Sequence, residues 1–313
     1  MSTNEIAYTV FGAVLLFALI FDLGLLSKKS KEVTIKKAVQ QTFFWVLLAF
    51  AFYIFLWIED GRQPALEYIS AYLMEWSLSI DNIFVFILIF TSFSVKKKYY
   101  SRVLLIGILM AIVFRIIFIT VGVALVNRFE WILYLFGAFL LYTGYKMFAA
   151  DEEKQFDPQT SKAYKFVKRF FPLSHTDGNG RFYIVENGRR VFTTLFIVVM
   201  MLASIDLVFA LDSIPAVMGI SRDKLVIYTS NIFAVLGLRS LFFLLRGAVT
   251  KFEYLQQGIA IVLIFIGLKM LAAHWLDEWL SNNQQVFLSL GVIVVCISGS
   301  ISISYIKSKR KNS

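Results

Sequence analysis

Glu75, Asp81, Asp206 and Asp212 each lie inside a run of apolar residues long enough to cross a lipid bilayer. A carboxylate at that depth costs roughly 3 kcal/mol or more unless it is paired, hydrated or metal-bound. Ser77, Ser79, Asn82, Ser204 and Ser213 add neutral oxygens next to the four acids, and no histidine or cysteine joins them. An all-oxygen donor set suits Mg²⁺, Ca²⁺ or Mn²⁺, whereas Zn²⁺ and Cu⁺ favour imidazole and thiolate. Glu75, Asp81, Asn82, Asp206, Asp212 and Ser213 are therefore candidate ligands for a hard divalent cation.

The spacing adds a constraint. Glu75 and Asp81 are six residues apart, as are Asp206 and Asp212. On an intact helix a six-residue step separates two side chains by about 120°, while a seven-residue step closes to within about 20°. Glu75 then shares a face with Asn82, and Asp206 with Ser213. Both acids of one helix reach one ion only if the helix opens between them. Pro215 favours opening in the second segment, because it removes an N–H and leaves the Leu211 carbonyl without its helical partner. Phe84 stands near the matching place in the first. The sequence thus predicts interrupted helices near Asp81 and Asp212.

A different reading pairs the acids with buried arginines. Arg115 and Arg239 also lie in apolar runs. Two arginines against four acids leave two negative charges over, which match one divalent cation or two protons. Lys146 and Lys269 sit near the ends of apolar runs and snorkel on the plainest reading. Asp22 is a gate or an interface residue. Asn231 is placed to hydrogen-bond between helices. His175 and His274 read as exposed.

What positions these residues must be membrane-spanning. The chain of 313 residues is 58% hydrophobic and only 17% charged, and its mean hydropathy is +0.72. A soluble domain carries about a quarter charged residues, so too little polar surface exists here to cover a water-soluble globule. A net charge of +10 first suggests nucleic acid, but the basic residues fall in short clusters between apolar runs. One cysteine, Cys296, makes no internal disulfide. Nine apolar spans are expected, at about 6–27, 39–58, 67–93, 102–126, 131–150, 192–218, 225–245, 255–274 and 286–306. The fold class is an all-α polytopic membrane protein, with 1–313 a single transmembrane domain. Every second connection is basic, which puts the N-terminus outside and the C-terminus in the cytoplasm. Trp57, Trp275 and Trp279 then mark the outer interface.

The spans repeat. In 67–150 and again in 192–274, an acid pair is followed one span later by an arginine and one span after that by Gly144-Tyr-Lys146-Met147 or Gly267-Leu-Lys269-Met270. Arg115 to Lys146 is 31 residues and Arg239 to Lys269 is 30. Units of three spans must cross in opposite senses, so spans 3–5 and 6–8 form an inverted repeat, with a substrate site expected at their interface. The intervening 151–191 is read as a cytoplasmic loop with a hairpin turning at Asn187-Gly188. Asp177-Gly-Asn-Gly180 has the look of a calcium loop but lacks its twelfth-position glutamate. No phosphate-binding loop is present, which argues against ATP hydrolysis.

Three segments carry a family resemblance: Glu75-Trp-Ser-Leu-Ser-Ile-Asp-Asn82, Asp206-Leu-Val-Phe-Ala-Leu-Asp-Ser-Ile-Pro215 and Thr229-Ser-Asn-Ile-Phe-Ala-Val-Leu-Gly-Leu-Arg239. In these the chain resembles the TerC/Alx family, from the first span to the last. The resemblance implies a multi-pass protein of the bacterial inner membrane that lowers cytoplasmic Mn²⁺, with links to tellurium resistance and alkaline response. It implies that the acids of the family's motifs fall on Glu75, Asp81, Asp206 and Asp212. The reading is a non-enzymatic secondary exporter of Mn²⁺, with Ca²⁺ or H⁺ as further ions, lipid as its surroundings, and neither nucleic acid nor an organic cofactor as partner. Competing readings are a non-transporting scaffold that senses metal or pH, and a monovalent-cation/proton antiporter. The charge pattern sets the first test. Tags at the N-terminus and within 59–63 are expected to label from outside intact cells, and tags within 160–180 and at the C-terminus are not. External labelling of 160–180 would overturn both the orientation and the inverted repeat.

Overall fold

The computed structural model describes residues 8–17, 33–148, 162–246 and 254–311, apart from 173, 175, 177 and 187. Asp22 and His175 lie outside the described residues, as do the side chains of Asp81 and Asp212. The expected apolar spans fall on helices, the first over 8–17 only, since 6–7 and 18–27 lie outside the described residues: α1 (Tyr8–Phe17), α2 (Ile35–Glu59), α3 (Arg62–Ser92), α4 (Tyr100–Arg128), α5 (Ile132–Phe148), α7 (Thr194–Met218), α8 (Lys224–Leu245), α9 (Leu255–Leu271) and α11 (Asn282–Lys311). Two short helices, α6 (Lys162–Phe170) and α10 (Ala273–Trp279), lie between spans. Among the described residues, five helices are long and apolar enough to cross a bilayer outright, and α1, α5 and α9 are shorter apolar helices.

The helices start and stop where local chemistry dictates. Thr34 caps α2, its hydroxyl accepting from the Lys37 amide. Asp223 caps α8, its carboxylate accepting from the Leu225 amide at 2.7 Å. The hairpin expected in the 151–191 loop forms as β1 (Tyr183–Glu186) against β2 (Arg189–Phe192), with Gly188 at φ +76° in the turn. The glycine-rich segment before it is a short 3₁₀ turn. Its Gly180 carbonyl accepts from Arg102 at 2.9 Å, so that loop oxygen serves a protein cation and ties the loop to α4.

Helix faces explain the packing. In α2 the buried residues Ala38, Trp45, Ala49, Phe52 and Leu56 form one stripe. The opposite face carries exposed Phe43, Leu47, Phe50, Ile54 and Ile58. An apolar outer face of this extent belongs against lipid or another protein, not water. α8 is almost wholly buried, its mainly apolar surface interrupted by Thr229, Ser230, Asn231, Arg239 and Ser240, as suits a central helix. α3 packs on α8 and α7, and α4 packs on the same two helices. These four therefore form a bundle in the cyclic order α3–α8–α4–α7. α2 covers α3 and α8, α11 covers α9 and α3, and α5 pairs with α9.

The α5–α9 pair is the closest approach. A Cβ on Gly267 would lie 2.7 Å from the Gly137 carbonyl oxygen, and one on Gly144 2.8 Å from the Ala260 carbonyl oxygen. Small residues at a seven-residue interval on each helix thus let two antiparallel backbones touch.

The expected interruptions do not occur. α3 runs unbroken through Asp81, and α7 through Asp212. Pro215 stands near the end of α7, only three residues before Met218. Few helical bonds remain for it to disturb there, and its own carbonyl accepts from the Gly219 amide at 2.9 Å. Positions 75 and 81, and positions 206 and 212, therefore keep the roughly 120° separation of an intact helix.

Gly267→Ala is expected to cost about 1–3 kcal/mol, because the added methyl meets backbone rather than a yielding side chain. Gly291, where an added methyl would have nothing within 4 Å, is the control, and Gly291→Ala should leave the thermal unfolding midpoint in detergent unchanged or slightly higher.

Candidate functional site: a buried ionic cluster

One side chain from each helix of the four-helix bundle meets at its centre: Glu75 of α3, Asn231 of α8, Arg115 of α4 and Asp206 of α7. All four are buried. Arg115 Nη1 donates to Glu75 Oε2 and to Asn231 Oδ1, each at 2.7 Å. Its Nε donates to Asp206 Oδ2 at 3.0 Å and its Nη2 to Asp206 Oδ1 at 3.2 Å. Asn231 Nδ2 donates to Glu75 Oε1 at 2.6 Å. Every carboxylate oxygen of Glu75 and Asp206 accepts a hydrogen bond. The planar fork of arginine suits this double duty, since it engages one carboxylate side-on and still has a donor for another.

One side of Asp206 faces apolar side chains. A crevice beside Asp206, lined by Phe86, Leu104, Gly107, Ala111, Leu202 and Leu238, is too narrow for a water molecule. Nearby hydroxyls mostly bond back to their own helices, as Ser77 does to the Leu73 carbonyl and Thr229 to the Leu225 carbonyl. Ser213 comes beside the Glu75 carboxylate but closes no hydrogen bond.

The structure thus gathers Glu75, Asp206, Arg115 and Asn231, with Ser213 adjacent. Asn82 is buried on α3 and Arg239 is buried on α8. Lys146 is exposed at the end of α5. Lys269 reaches α11 instead, donating to Ser289 at 3.1 Å. His274 is exposed. Among the described residues, no three of His, Cys, Asp and Glu gather closely enough to hold a metal ion.

A further feature is barely visible in the sequence. A cavity of about 580 Å³ opens at one end of the bundle, lined in part by Glu67, Glu130, Ser221, Asp223, Lys269 and Gln285. Ser221 donates to Glu67 across it, and Gln63 donates to the same carboxylate at 3.0 Å. At the same end, burial together with the charges of Asp223 and Glu59 pushes the Asp60 carboxyl above its ordinary value. Three lining carboxylates, Glu67, Glu130 and Asp223, against Arg222 and Lys269 leave a small excess of negative charge at this mouth, which favours cations. Its only sequence signal was the cluster of acids in the short connections, which read as topology and not as a cavity.

Comparison with known proteins points to an integral membrane family. The model of the integral membrane protein TerC family matches residues 60–312. An uncharacterized membrane protein of Myxococcus xanthus, STKORF319, is 40% identical over 299 residues, covering 96% of this chain and 92% of its own. An uncharacterized membrane protein of Rickettsia felis is 40% identical over 270 residues, covering 86% and 89%. The Alx protein of Escherichia coli (strain K12), named as a candidate membrane-bound redox modulator, is 37% identical over 292 residues, covering 90% and 89%. No solved structure matches.

The cluster predicts graded losses of stability. Removing one partner of a buried ion pair strands the other, so Arg115→Met should cost about 3–5 kcal/mol. Asn231→Leu removes a neutral partner and should cost about 1–3 kcal/mol. Lys146→Met should stay within about 0.5 kcal/mol. Unfolding midpoints of the purified proteins in detergent test this order, and an Arg115 variant as stable as Lys146→Met would show that the cluster carries no stability.

Proposed function

The chain belongs to the TerC family of integral membrane proteins, and from that premise we propose that it is a secondary transporter exporting Mn²⁺ from the cytoplasm across the bacterial inner membrane. The observation that carries this reading is the buried cluster of Glu75 and Asp206, contributed by two helices and held by Arg115 at the bundle centre. Asp81 lies about one and two-thirds turns beyond Glu75 along α3, and Asp212 the same distance beyond Asp206 along α7. Against Arg115 and Arg239, four acids leave two negative charges over, the charge of one divalent ion. Oxygen donors alone suit a hard cation. The choice of Mn²⁺ and of the outward direction rests on the family resemblance.

The packing supports two inverted halves. Exchanging α3 with α7, α4 with α8 and α5 with α9 preserves the most extensive contacts among these six helices: α3–α8 becomes α7–α4, while α3–α7, α4–α8 and α5–α9 map onto themselves. The glycine contacts obey the same exchange, with Gly144 on Ala260 matching Gly267 on Gly137. In a repeat of this kind, a site on the dyad is presented to either side of the membrane by rocking one half against the other. Under the orientation read from the basic connections, the acid-rich cavity is the outer vestibule.

In this cycle Glu75 and Asp206 take the ion first. Asp81 and Asp212, about 120° round unbroken helices, join it in a state in which α3 and α7 open between the paired acids. Asn82 and Ser213 supply neutral oxygens, and protons are the candidate counter-ions. Cys296 is the sole cysteine, so the chain has no thiol pair of its own for redox exchange.

Amide substitution separates ligands from partners. Asp81→Asn or Asp212→Asn keeps size and removes one charge, and should abolish protection of exporter-deficient cells against Mn²⁺ while the protein still inserts at normal levels by blot. Manganese uptake into inverted vesicles should fall in parallel. Full protection by the amide variants of all four acids would remove this site from consideration.

A further inference from the structure

We propose that Arg115 is a tethered counter-cation that competes with the transported ion: its guanidinium holds Glu75 and Asp206 while no ion is bound and must withdraw before an ion can take them. This rests on the cation-transport reading above and adds how the site is regulated.

Three observations carry it. The first is occupancy. All four oxygens of Glu75 and Asp206 already accept from Arg115 or Asn231, so an ion that takes these oxygens competes with donors already in place. The second is dryness. The crevice beside Asp206 is too narrow for water, and the carboxylates cannot trade their partner for solvent, as surface acids do. In such a place a carboxylate gives up its cation only for another cation or a proton. The third is placement. Arg115 belongs to α4, which stands across the bundle from α3 and packs on α7 and α8 instead. Its bond to Glu75 spans the centre of the bundle at 2.7 Å. A small movement of α4 away from α3 therefore breaks that bond first, while the side-on grip on Asp206 travels with the adjacent α7.

A charge so placed acts in both directions. It weakens ion binding, because a divalent ion must displace a cation that is covalently attached and never diffuses away. It also lets the empty site close, because one of the two negative charges is cancelled, and all four carboxylate oxygens are hydrogen-bonded, without an ion. Removing the charge should therefore tighten binding and slow turnover together, a combination that loss of a merely structural salt bridge does not produce.

The test is a Mn²⁺ titration of the purified full-length protein, with free Mn²⁺ read by electron paramagnetic resonance and the unfolding midpoint followed alongside. Arg115→Gln should bind Mn²⁺ at least about tenfold more tightly than wild type, a difference of about 1.4 kcal/mol. It should start from a lower midpoint and gain more from saturating Mn²⁺. Manganese uptake into inverted vesicles by the same variant should fall at least severalfold. Asn231→Leu keeps the arginine and loosens its hold on Glu75, so its affinity should lie between the two. Binding by Arg115→Gln that is equal to or weaker than wild type, or wild-type turnover, would overturn the inference and leave the cation site standing. Should Arg115→Gln not fold, Asn231→Leu decides alone: tighter binding than wild type supports the competitor, and unchanged or weaker binding overturns it. Absence of Mn²⁺ binding in wild type and both variants would instead defeat the transport reading, and this inference with it.

Discussion

A guanidinium buried where four helices converge must have all its neighbours chosen for it. Arg115 donates to Glu75, Asp206 and Asn231, and each of these comes from a different helix. The arginine thereby sets the relative height of α3, α7 and α8 against α4. A slip of one residue along any of them moves a side chain by about 1.5 Å and turns it by about 100°, enough to strand a charge in an apolar interior. Apolar faces slide past one another at little cost. The ionic layer does not, and it gives an otherwise greasy bundle a single register.

The same layer shapes what can move. α5 and α9 touch backbone to backbone at Gly137, Gly144, Ala260 and Gly267, and such contacts tolerate little sliding. The four central helices meet through side chains, whose rotamers and hydrogen bonds can be rearranged. Rigid frame and adjustable centre are thus built from different residue types, small residues in one and long polar side chains in the other.

Much of this was legible in the sequence, for identifiable reasons. The spans stood out because a bilayer imposes a length on apolar runs, and α2, α4, α7, α8 and α9 start and end within a few residues of the expected limits. Glu75, Arg115, Asp206 and Asn231 stood out because polar side chains are expensive where they lie. Their mutual arrangement was not legible. Which carboxylates one arginine reaches depends on the cyclic order of the helices, and that order is decided by apolar surfaces with no distinctive spelling. The expected breaks in α3 and α7 failed for a local reason. The six-residue spacing was read as two ligands for one ion, which needs an open helix, yet Glu75 and Asp206 meet across helices and need none. The acid-rich cavity escaped notice because connections far apart in sequence build it, among them Glu130 and Asp223.

The contact between Gly137 and Gly267 also bears on how the protein is made. These residues are 130 positions apart, so α5 is synthesised and inserted well before the partner that seals it exists. Until then the first half carries an open groove of small residues along α5 and, in α3 and α4, a Glu75 and an Arg115 whose remaining partners are still on the ribosome. Those two charges cancel each other, which lowers the cost of holding a half-built protein in the membrane. A chain stalled before α7 would be electrically tolerable but sterically unfinished, and the bare groove on α5 is the mark by which a membrane quality-control protease could tell it from the completed molecule.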